Sequence, residues 1–100
     1  MQLEYLLFDF SDEESGNGSF DAMASVASVS AHHVAAMNAE VQAVLAWSAA
    51  AFGVAAALDD GGEWDYELNQ SEDGLLTTLT LTLSGTPAFC KAFSAAFPNS

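Results

Sequence analysis

Ser19–Ser28, SFDAMASVAS, is the stretch on which the fold turns. Its alanines favour a helix, yet Phe20, Ala22, Ala24 and Val26 recur at every second position, the period of a strand. As a strand it pairs back on residues 2–10 (QLEYLLFDF), an apolar, aromatic run too short for a stable helix. Between the two lies Ser11–Gly18 (SDEESGNG), whose consecutive acids and two glycines read as a loop.

The elements that follow are marked more sharply. Ser30 is placed to N-cap a helix running to about Phe52, with Gly53 where a left-handed cap residue belongs. Val34, Met37, Val41, Val44, Leu45, Ser48 and Phe52 fall at three- and four-residue steps and make one stripe. Asn38, Glu40 and Gln42 lie away from it. Residues 54–62 (VAAALDDGG) are a connection ending in a turn. Residues 63–70 (EWDYELNQ) alternate without error, with Trp64, Tyr66 and Leu68 opposed to Glu63, Asp65 and Glu67. Ser71–Gly74 (SEDG) has hairpin-turn chemistry, and Leu75–Ser84 (LLTTLTLTLS) alternates leucine with threonine. Thr86 and Pro87 then open a last helix, with Phe89, Phe93 and Phe97 on its inner side and Pro98 at its end.

Strand, acidic turn, strand and capped helix thus occur twice. The pattern of FDFSDEESGNGSFDAMASV is repeated in YELNQSEDGLLTTLTLTL, and LAWSAAAF in KAFSAAF. This internal repeat predicts one α+β domain over residues 1–100: a two-layer sandwich, ββαββα, with a four-stranded antiparallel sheet and two helices on one face. Reading residues 20–52 as one helix gives the alternative, βαββα, an incomplete ferredoxin-like arrangement.

Charge bounds the function. Fourteen Asp and Glu face a single basic residue, Lys91, for a net charge of −13, while 51% apolar residues exclude a disordered acidic tail. One cation cannot hold nucleic acid, a nucleotide or an anionic membrane by charge. No apolar run approaches the roughly 20 residues of a membrane span. The N-terminus, MQLEYLLFDFS, lacks the basic start and cleavage site of a signal peptide. Cys90 is alone, so no intrachain disulfide forms, and a cytoplasmic, reducing setting is expected.

Motifs for catalysis are thin. His32 and His33 are adjacent on a helix and point about 100° apart, so they cannot chelate one metal together. Cys90 beside Phe89 and Phe93 reads as a buried, inert thiol. The acidic loops Asp12–Glu14 and Asp59–Glu63 lack the alternating ligand spacing of a calcium loop. Nucleophile elbow, phosphate loop and zinc spacing are missing from the sequence, and no cofactor is expected. What remains is surface. If the helices cover the Trp64, Tyr66 and Leu68 side, the other face presents Glu63, Asp65 and Glu67 beside Thr78, Thr80 and Thr82, joined by Asp9 and Asp21. The expectation is a small acidic, non-enzymatic interaction domain that binds or inhibits a basic protein partner through this face. The alternative is a small hydrolase or metal-dependent enzyme using His32 or His33 with nearby carboxylates.

Overall fold

Leucine and threonine alternate at Leu76–Gly85 because the strand they form has one dry face and one wet one. Leu79, Leu81 and Leu83 are fully buried there, while Thr78, Thr80 and Thr82 are only half-buried on the other side. A computed structural model describes residues 3–98. In chain order its elements are β1 (Asp9–Asp12), β2 (Gly18–Ala27), α1 (Ala31–Phe52), a 3₁₀ turn at Leu58–Asp60, β3 (Trp64–Asp73), β4 (Leu76–Gly85) and α2 (Pro87–Ala96). The order is therefore strand, strand, helix, twice over.

The four strands form one antiparallel sheet in the order β1-β2-β4-β3. The decisive stretch is a strand, as its two-residue period requires: β2 pairs with β4 along its whole length, from Gly18↔Gly85 to Ala27↔Leu76. The ferredoxin-like alternative, which needs helix here, is excluded by that pairing.

Both helices pack on the leucine side of β4. From α1 come Met37, Val41, Val44 and Ser48, all fully buried, and from α2 come Phe89, Cys90 and Phe93. Aromatic rings fill the middle: Phe93 has Phe20, Phe97, Phe8, Phe89 and Trp47 at centroid distances of 4.6, 4.9, 5.3, 5.7 and 5.9 Å. Alanine supplies little of this area, so the aromatic residues carry the burial. Where α2 meets the sheet the backbone must come close. An ideal Cβ on Gly85 would sit 2.6 Å from Cγ of Phe89, so only glycine fits beneath that ring.

The helix ends follow the sequence in part. Thr86 Oγ1 accepts from the Phe89 N–H at 3.3 Å with Pro87 at the first helical position, whereas Gly53, at φ +84° and ψ −163°, ends α1 outside the left-handed helical conformation expected of it. Ser30 precedes α1 without capping it. Its hydroxyl instead meets His33 Nδ1 at 2.9 Å.

Four expectations need correction. The expected first strand, residues 2–10, is a strand only from Asp9 onward and runs on to Asp12 (residue 2 lies outside the described residues). Leu6 and Phe8 are buried, as strand residues would be, but the segment leaves the sheet to lie on α1. There the Glu40 carboxylate accepts the N–H groups of Glu4, Tyr5 and Leu6 at 2.6, 2.9 and 3.0 Å. A side chain thus does the work of a neighbouring strand. The loop is accordingly shorter than Ser11–Gly18, since Ser11 and Asp12 belong to β1 and Gly18 to β2. The turn predicted at Ser71–Gly74 tightens to Gly74–Leu75, with Gly74 at φ +59° and Asp73↔Leu76 closing the pair. Finally, the helices cover Trp64 but not the rest of its face. Trp64 is 2% exposed, Tyr66 43% and Leu68 37%, because α1 lies over β2 while α2 lies over β2 and β4 and meets β3 at its first residue, Trp64, on which Phe89 stacks.

Candidate interaction face

Strand alternation and register decide which acids meet. On the sheet face away from the helices, the pairs Asp9↔Asp21, Asp21↔Thr82 and Glu67↔Thr82 align four side chains across all four strands: Asp9, Asp21, Thr82, Glu67. The next level holds Ser11, Ser19, Ser84 and Asp65. Asp9 and Asp21 stand directly opposite one another, a like-charge pairing that costs stability in a sheet. One partner for this charge is at hand, since Thr82 Oγ1 donates to Asp21 Oδ1 at 2.8 Å. Further along, Ser25 and Thr78 share a hydroxyl bond of 2.7 Å.

Four of the five acids expected on this face lie within its strands: Asp9, Asp21, Asp65 and Glu67. Glu63, the fifth, lies one residue before β3, outside the strand. Its carboxylate accepts from Thr86 Oγ1 at 2.9 Å while its carbonyl accepts the Thr86 N–H at 3.0 Å. Through Thr86, which in turn accepts from Phe89, Glu63 holds the start of α2 and serves the fold. Asp65 also bends back locally, taking the Tyr66 N–H at 2.8 Å.

Two exposed apolar residues join the row, which sequence reasoning missed. Leu7 and Met23 are 62% and 68% exposed, and with Asp9, Asp21, Ala22 and Thr80 they line a depression of about 350 Å³. Met23 could have been found from the alternation that puts Asp21 on this face. Leu7 could not, because its position depends on where the chain departs from the sheet. An apolar floor with two carboxylates at its rim matches the two ends of a lysine or arginine side chain, an aliphatic stem and a charged head.

The groups considered for catalysis lie elsewhere. His32 and His33 are exposed at the start of α1, with ring centroids 5.6 Å apart and His33 bonded to Ser30. Among the described residues no group of three or more His, Cys, Asp or Glu side chains is arranged to hold a metal ion. Cys90 is 8% exposed, and burial pushes its thiol pKa up, against a smaller downward pull from a hydrogen bond with the Gly18 backbone. A thiol held protonated in this way is a weak nucleophile. Among the described residues no helix is long and apolar enough to cross a membrane. No protein-family model, curated protein or solved structure matches this chain.

Proposed function

We propose that this protein is a small acidic interaction domain that binds a basic protein partner through the outer face of its sheet. The observation that carries the reading is the Asp9–Asp21–Thr82–Glu67 row, in which two carboxylates oppose each other with no lysine or arginine beside them. Folding sacrifices stability to build that arrangement, and a lysine or arginine from a partner restores it. Lys91, the single basic side chain, belongs to α2 in the opposite layer. The Leu7–Met23 depression gives a basic side chain an apolar seat beside the charge. A lone cysteine held as a buried thiol supports action in a reducing, cytoplasmic setting. The twofold strand–strand–helix order supports reading the chain as an internal repeat whose halves each give one central strand to the face.

The test is a titration with a lysine- and arginine-rich peptide, followed by amide chemical shifts. Shifts concentrated at Asp9, Asp21, Met23, Glu67 and Thr82 are expected. Asp21→Asn with Glu67→Gln should weaken binding by about tenfold or more, because each substitution takes a charge-assisted hydrogen bond from the partner's basic side chains. The matched control Asp59→Asn with Asp60→Asn removes the same charge from the Leu58–Asp60 turn. Equal weakening by both pairs would mean that only net charge matters, and would overturn the reading.

A further inference from the structure

We infer that the outer edge of β3 is a docking site for an extended basic segment, which adds to the sheet as a fifth strand. The inference rests on the proposed preference for a basic partner and specifies how such a partner is held. β3 lies at one end of the sheet and pairs only with β4, so among the described residues its other edge carries no strand. The Trp64 carbonyl points outward, since it accepts the Ala56 N–H at 3.0 Å. Backbone groups alternate in direction along a strand, so Tyr66, Leu68, Gln70 and Glu72 also face outward. Asp65 already occupies the Tyr66 N–H. The edge available for pairing therefore runs from the Tyr66 carbonyl to Glu72.

Both faces beside this edge suit one kind of strand. On the helix side, Tyr66 and Leu68 are exposed, and a depression of about 600 Å³ lies between Tyr66, Trp64, Leu45, Ala49, Val54 and Ala55. A side chain opposite Tyr66 enters that space and one opposite Leu68 lies against the exposed leucine, so both must be apolar. On the other side stand Asp65, Glu67 and Asp73, and side chains alternating toward them must be basic. A strand alternating apolar and basic residues meets both demands. A second copy of this chain does not, because β3 carries four acids and no base, and pairing two such edges places like charges together. The same acids protect the bare edge from self-association.

The probe is a nine-residue peptide, acetylated and amidated, in which lysine alternates with valine or leucine. A scrambled peptide of the same composition is the comparison. Binding of the alternating peptide should slow hydrogen exchange at the Leu68, Gln70 and Glu72 amides, which face solvent in the free protein. Gln70→Pro removes one outward N–H without touching the β4 ladder, a substitution an edge strand tolerates. It should weaken the alternating peptide about fivefold or more, and the scrambled peptide hardly at all. The exchange measurement needs no variant, so a misfolded Gln70→Pro leaves the test intact. Equal binding of both peptides, with no protection at those amides, overturns the edge site and leaves the anionic face standing. If neither peptide binds even at low salt, the basic-partner reading fails and takes the edge site with it.

Discussion

Replacing Phe93 with alanine tests the packing on which both surfaces depend, because it removes the ring where the two layers meet. Phe93 is 1% exposed, with five aromatic rings at centroid distances from 4.6 to 5.9 Å. Phenylalanine-to-alanine changes in a core cost about 3–5 kcal/mol, transfer and cavity terms together. The upper half of that range is expected, since ring pairs add about 0.5–1.5 kcal/mol each beyond the buried area. Against a typical total of about 5–15 kcal/mol, the variant is marginal or unfolded at room temperature. At about 4–8 °C per kcal/mol for a domain of this size, the melting temperature falls by about 16 °C or more. Urea unfolding followed by the fluorescence of Trp47 and Trp64 measures the loss directly, because Trp47 touches Phe93 and Trp64 stacks on its neighbour Phe89 at 5.8 Å. Phe97→Ala, at the end of α2 and 6% exposed, should cost less. A loss below about 1 kcal/mol for Phe93→Ala would mean that α2 is not docked on the sheet, and the reasoning would be refuted.

Other outcomes follow from single features. Gly85→Ala should lose about 1–3 kcal/mol, because the new methyl group meets the buried Phe89 ring and β4 is pinned by strands on both sides; an unchanged melting temperature would contradict that contact. Sodium chloride at pH 7 should raise the melting temperature, since fourteen carboxylates with one lysine mostly repel and salt screens them beyond about 8–10 Å. Indifference to salt would mean that these charges are paired. Cys90 should resist a thiol-alkylating reagent at pH 8 in the folded protein and react on unfolding. Its raised pKa keeps it protonated there, and the stability it contributes is lost only as pH rises above the ordinary thiol value of 9.0. A labelled DNA duplex should show no shift with this protein at about 0.15 M salt, for want of cations to displace counterions.

How much of this was legible in the sequence depends on the range of the interaction involved. The Leu/Thr alternation of β4, the Phe89–Phe93–Phe97 stripe and the Thr86–Pro87 start of α2 are local patterns, and local patterns can be read. The late start of β1 is not local. Its apolar residues look like a strand because they are buried, but Phe8 is buried against Phe20 and Phe93, and what satisfies the backbone of residues 4–6 is Glu40 of α1, some 34–36 residues away. The exposure of Tyr66 and Leu68 escaped for a similar reason: alternation tells which face a residue takes, not how far a helix reaches across it. For the acidic face, period-two reading placed Asp65 and Glu67 together, while Asp9 and Asp21 join them through the register of β1, β2 and β4. What that reading could not show is the bond from Thr86 to the Glu63 carboxylate, which ties the end of that row to the start of α2. The open edge of β3 required the order β1-β2-β4-β3, which rests on pairings between distant segments.

That order also bears on how the chain folds. The β1–β2 and β3–β4 hairpins close short loops and can form on their own timescale, but every β2–β4 pair joins residues about fifty or more positions apart. Closing the centre of the sheet, which draws α1 and its connection into a closed loop, is therefore expected to be the slow step. Substitutions along that seam, such as Leu81→Ala, should slow folding, whereas changes at the Gly74–Leu75 turn act on a hairpin already made. Until the seam closes, each hairpin exposes the side chains that will become the core, and the heavy negative charge of the chain is what keeps two such half-built molecules apart.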